Sequence, residues 1–170
     1  MSGNRAPDSL FPIAIPDAVL AACYADARRC YPNEACGLLF GPADAPLVDE
    51  VRVCENQQDR LHERDPATHP RTARTAYALG FADLRALDAS LSGARPAKII
   101  YHSHVDVGAY FSAEDERAAT FDGELIYPVD YLVIDCQRDG VRGAKLFRFA
   151  EGRFQLIDES GPRPESPLNR

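Results

Sequence analysis

His102 and His104 stand two residues apart, and Asp115 follows eleven residues after the second. Imidazole nitrogens and a carboxylate are donors that zinc takes in hydrolytic sites, where three protein ligands leave one position open. Both histidines fall at the end of an apolar stretch that reads as a β-strand, and strand alternation sends residues i and i+2 to the same side. They can therefore share one ion. Asp115 is the best-placed third donor, in the first turn of a helix that Ser112 opens, where the positive end of the helix dipole also favours a carboxylate. A strand end and a helix start would then bracket one Zn2+ per chain. Ser103, between the two histidines, points the other way by the same alternation and takes a structural role.

The same residues also have an ordinary reading. Ser112-Ala-Glu-Asp115 is a serine and an acid at capping-box spacing, as at the start of many helices, and a His-x-His pair on a strand is weak evidence by itself. The joint pattern weighs against coincidence. With four His, eight Ser and sixteen Asp in 170 residues, His-Ser-His, seven residues, Ser, two residues, Asp arises by chance with a probability of roughly two in a hundred thousand.

The elements that must position these residues can be read from periodicity. Val19, Leu20, Cys23, Tyr24, Ala27 and Tyr31 recur at helical spacing over residues 16–31, and Pro32 ends the helix. Residues 36–41 and 48–54 read as two strands. Residues 55–74 carry almost no apolar anchor and read as a long surface loop, of a length that tends to be functional; His62 and His69 within it are expected to be solvated. A helix over 80–92 precedes a buried strand over 97–102, then a loop to residue 111 and the helix opened by Ser112. Residues 131–136, 143–149 and 154–157 alternate in period two between the turn signals Arg138-Asp-Gly140 and Glu151-Gly152, an antiparallel meander. The expected architecture is α/β, a mixed sheet flanked by helices, in one domain over 12–158 with flexible tails at 1–11 and 160–170.

Composition bounds the function. Apolar residues make up 45% and charged residues 26%, within the globular range. A formal net charge of -7 offers no positive field for phosphate backbones or anionic lipid, so nucleic acid is not an expected partner. No signal-like start and no apolar run of spanning length is present, so a cytoplasmic protein outside the membrane is expected. The five cysteines form an odd set without a C-x-x-C pair and are expected as buried thiols in a reducing compartment, Cys36 as part of the core.

His102-Ser103-His104, with Ser112 and Asp115 at their spacing, resembles in full the signature of the JAMM (MPN+) metalloprotease family. Pro32-Asn-Glu34-Ala-Cys36-Gly37-Leu-Leu39-Phe-Gly41 is similar to the context in which that family carries its catalytic glutamate. Val105 stands where many relatives have proline, a departure that touches no ligand. The resemblance implies a cytidine-deaminase-like fold with a curved mixed sheet, and a zinc peptidase or isopeptidase in which His102, His104 and Asp115 hold the metal. It implies further that Glu34 is the proton carrier and that Ser112 is a donor to the oxyanion. The implied substrate is a ubiquitin-like or sulfur-carrier protein ending in Gly-Gly, and the implied assembly is a homodimer. Two alternatives stand beside it: a noncatalytic scaffold of the same fold, and a DNA-repair-associated relative, against which the acidic composition argues.

Overall fold

The structure, a computed structural model, describes residues 11–162. In chain order it contains α1 (Asp17–Cys30), β1 (Cys36–Phe40), β2 (Glu50–Cys54), α2 (Gln58–Arg64), α3 (Phe81–Ser90), β3 (Ala97–Val105) and α4 (Ala113–Ala119). The short strands β4 (Thr120–Phe121) and β5 (Glu124–Leu125) follow, then β6 (Asp130–Gln137), β7 (Gly140–Ala150) and β8 (Arg153–Ser160). The main sheet has the order β2-β1-β3-β6-β7-β8. Only β3 and β6 run parallel; every other neighbouring pair is antiparallel. The fold is thus mixed α/β with a mixed sheet and helices packed against it, as expected.

Both faces of the central strands are covered, so β1, β3 and β6 are buried along almost their whole lengths. On one face α1 lays Leu20, Cys23 and Ala27 against Leu39, Ile99, Tyr101 and Ile134. On the other, Leu38, Ile100 and Tyr131 pack with Leu87 of α3 and with Tyr77 and Phe111. Alternation along β3 then divides the motif: Tyr101 and Ser103 share the α1 face, while His102 and His104 share the opposite one. Gly37 makes room for this packing. A Cβ there would run into the Tyr101 ring and lie 2.5 Å from the Arg52 carbonyl oxygen. The freed Tyr101 hydroxyl reaches 2.9 Å to the buried carboxylate of Asp26 on α1.

Several expectations are corrected. Residues 55–74 are not one loop, because α2 occupies part of them. That helix buries only Gln58 and so shows no apolar stripe; polar contacts fix it, with Asn56 Oδ1 accepting from Gln58 N at 3.0 Å and Asp59 Oδ1 from Ala73 N at 2.7 Å. Strand β3 runs to Val105 rather than ending at His102, since pairing with β6 continues from His102↔Val133 to Val105↔Cys136. The second histidine therefore sits on the strand and not in a loop. The β4–β5 hairpin was not anticipated, although Asp122-Gly123, both at positive φ, is a hairpin signal. Strand β8 includes Ser160, paired to Ala144, so the expected tail at 160–170 does not begin there; most of that tail and of 1–11 lie outside the described residues. Among the described residues no helix is long and apolar enough to cross a membrane, and all five cysteines are free.

Candidate metal centre

The site forms where β3 leaves the sheet and the chain crosses over, through α4, to the parallel strand β6. Side-chain donors of His102, His104 and Asp115 lie within 4.8 Å of one another and all three residues are buried. His102 Nε2 is 3.0 Å from Asp115 Oδ1 and 3.2 Å from His104 Nε2, and His104 Nε2 is 3.2 Å from Asp115 Oδ2. Strand alternation supplies the first pair. The third donor is delivered by the capping box: Ser112 Oγ accepts from Asp115 N at 3.1 Å, and Asp115 Oδ2 accepts from Ser112 N at 2.9 Å. The cap and the donor role are one arrangement, since the bond that starts α4 also turns the carboxylate toward the imidazoles.

The protonation pattern fits a cation. Gly108, at φ +88°, sits in the turn after β3, and its carbonyl oxygen lies 3.0 Å from His104 Nδ1. A carbonyl only accepts, so Nδ1 carries the hydrogen and a neutral ring has its lone pair on Nε2. That lone pair faces a carboxylate oxygen and a second imidazole nitrogen. Acceptors facing one another at such distances require a proton or a metal ion between them, and two neutral imidazoles with one carboxylate form a donor set that suits zinc. Burial would raise the Asp115 carboxyl, but when protons rather than a cation lie between it and the His102 and His104 rings, those contacts and the Ser112 N–H outweigh burial and hold it well below the usual carboxylate range. His102 is held by packing: its ring stacks on Tyr77 at 4.4 Å and 21°, and its Nδ1 has no hydrogen-bond partner among the described residues. The Tyr110 ring meets His104 edge-on at 4.8 Å.

Glu34 lies in the turn between α1 and β1 and is 5% exposed. Burial pushes its carboxyl up to about 9; the negative charge of Asp115 acts in the same direction and Arg71 acts against it. A carboxyl that holds its proton so tightly is a strong acceptor once ionised. Its backbone is pinned from two sides. Glu34 N donates to Ala73 O at 2.7 Å and Asn56 Nδ2 donates to Glu34 O at 3.0 Å. The adjoining Ala35 N donates to Ser103 Oγ at 2.8 Å, while Ser103 N donates back to Ala35 O at 3.0 Å.

The structure therefore brings His102, His104 and Asp115 together, sets Ser112 as the α4 cap, and buries Glu34 where the charge of Asp115 acts on it. Ser112 and His104 line a pocket of about 240 Å3 with Arg71, Tyr110 and Glu114. Cys36 is fully buried and its thiol is pushed up by burial, as expected of a core residue. His62 is partly buried, with Nδ1 2.7 Å from His69 O, and neither histidine joins the cluster. Sequence reasoning missed Asn56, Tyr77 and Arg71, none of which carries a local spacing signal. Ser103 could be placed by alternation, but its partner, 68 residues earlier, could not.

Residues 16–145 match the family described as prokaryotic homologs of the JAB domain. Proteins of Mycobacterium tuberculosis and Mycobacterium bovis named CysO-cysteine peptidase are 30% identical to the chain over 113 residues, 66% of this chain and 68% of theirs. A solved protein of Desulfitobacterium hafniense superposes with a TM-score of 0.58 at 24% identity, covering 84% of this chain and 87% of that one. One of Salinibacter ruber gives 0.56 at 22% identity, with 92% and 95% covered. At these identities the two structures speak to fold alone.

Proposed function

The chain belongs to the family of prokaryotic JAB-domain homologs, and from that membership we propose that it is a zinc metallopeptidase. Its substrate would be a sulfur-carrier or ubiquitin-like protein, cut after a C-terminal Gly-Gly. The observation that carries the reading is the convergence of two imidazoles and one carboxylate, with the His104 Nε2 lone pair turned into the cluster. The name of the mycobacterial relatives, CysO-cysteine peptidase, supports hydrolysis at the end of a carrier protein. A cytoplasmic reaction agrees with five unpaired cysteines.

His102, His104 and Asp115 would hold Zn2+, which when bound polarises a scissile carbonyl and acidifies water. Glu34 accepts the proton of the attacking water on its carboxylate and passes it to the nitrogen of the departing amine. Ser112 Oγ already accepts from Asp115 N, so its own hydrogen is available to the oxyanion, a contact commonly worth about 2.7–4 kcal/mol. Among the described residues Ser112 Oγ has no hydrogen-bonded base, and it serves as donor rather than nucleophile. Glycines before the bond suit the site because they let a backbone approach closely.

Metal analysis together with hydrolysis of a Gly-Gly-Cys-terminated carrier tests this. One zinc per chain, with hydrolysis lost in Glu34→Gln while zinc is retained, is the expected result. Absence of stoichiometric zinc after reconstitution, or a Glu34→Gln variant that still cleaves, would overturn it. Zinc without any hydrolysis would favour the scaffold alternative.

A further inference from the structure

We propose that Arg71 forms, in the pocket beside His104 and Ser112, a subsite for the free α-carboxylate of the amino acid being released, making the chain a trimmer of single C-terminal residues. The inference rests on the peptidase reading and adds which bond is chosen. Among the side chains lining that pocket, Arg71 is the only permanent cation, and Ser112, the oxyanion donor, lines the same space. A volume of about 240 Å3 corresponds to on the order of eight waters, room for one residue and not for a folded partner. In a substrate cut one residue from its end, the carboxylate sits one residue span, about 3.8 Å between α-carbons, beyond the scissile bond. A lysine-linked bond would carry that carboxylate farther off, at the root of the lysine side chain.

The guanidinium is held but not used up. Its Nη1 donates to Thr75 O at 3.3 Å, and its Nε lies 3.5 Å from Glu114 Oε2, a carboxylate shared with Arg117. Nη2 has no partner among the described residues. The charge also reaches the reaction centre, since it opposes the rise at Glu34. Its backbone is fixed by the one buried residue of α2: Gln58 Nε2 donates to Arg71 O at 2.8 Å. Two residues on, Ala73 is held by Asp59 and in turn holds Glu34 N. The strap over residues 71–73 thus ties the carboxylate receptor to the proton carrier, and Gln58 and Asp59 of α2 hold that strap.

Binding of Gly-Gly-Ala as free acid and as C-terminal amide to the zinc-loaded Glu34→Gln protein, followed by calorimetry, tests the subsite without turnover. Charge-assisted hydrogen bonds to a carboxylate predict that the acid binds roughly 10- to 100-fold more tightly than the amide. Arg71→Gln should bring the acid to the level of the amide and leave the amide unchanged; Arg71→Lys should recover part of the preference. Equal affinities for acid and amide, or an Arg71→Gln that weakens both alike, would overturn the proposal. In wild type the same pair of peptides should differ in KM more than in kcat. If wild type hydrolyses neither while the binding preference holds, the peptidase reading has failed and the subsite has not.

Discussion

Replacing Glu34 with Gln should stabilise the metal-free protein, by an amount that grows with pH. In the unfolded chain this carboxyl ionises near 4.5, whereas in the metal-free native fold burial, with Asp115 adding to it, keeps it protonated up to about 9. Between those values the native state binds a proton that the unfolded state has released. Stability therefore falls as pH rises across that window. At about 1.4 kcal/mol per pH unit, the distance from 4.5 to pH 7 sets a ceiling of about 3 kcal/mol, and the distance to pH 5 less than about 1 kcal/mol. Glutamine keeps the shape and a hydrogen-bonding amide without the titration. Urea unfolding of wild type and Glu34→Gln in a chelator, at pH 5, 6, 7 and 8, should show two stability curves that separate as pH rises. Adding Zn2+ should narrow the gap, because a nearby dication favours the ionised carboxylate. Parallel curves over that range would refute the claim that Glu34 is held in a desolvated site near Asp115.

Ser103→Ala strands the buried Ala35 N–H and should cost about 1–3 kcal/mol in denaturant unfolding; kcat should fall while zinc content stays at one per chain, since the loss is in the seat of Glu34. Ser112→Ala removes a helix cap, about 1 kcal/mol of stability, and on the proposed mechanism also the oxyanion donor, roughly 100-fold or more in kcat. Ser112→Thr should restore most of the thermal stability, read by calorimetry. Gly37→Ala drives a methyl into the Tyr101 ring and the Arg52 carbonyl and should destabilise by about 1–3 kcal/mol or more, seen as a lowered Tm with no change in zinc affinity.

Much of the fold was legible because it is written in short periods. Helix α1 shows its buried stripe at three- and four-residue spacing, and the β6–β7–β8 meander shows alternation punctuated by turn residues. The same rule sends His102 and His104 to one side of β3, and the capping-box spacing places Asp115 in the first turn of α4. Where the period was absent the reading failed. Helix α2 buries one glutamine and presents no stripe, so it read as loop; its stability comes from Asn56, Asp59 and Gln58 reaching segments 13 to 22 residues away.

The sequence by itself determined which side chains on β3 and α4 share a direction, because side-chain direction within a strand or a helical turn follows from backbone geometry over two to four residues. Only the tertiary structure decided that the end of β3 and the start of α4 meet around one point and that Tyr77 backs His102. It alone set Ala35, beside Glu34, against Ser103 across 68 residues of chain and carried Arg71 to the pocket that His104 and Ser112 line. Those contacts join elements whose separation is set by packing of the whole sheet and its covering helices. No local spacing encodes them, because the energy that selects them is shared among side chains far apart in the chain.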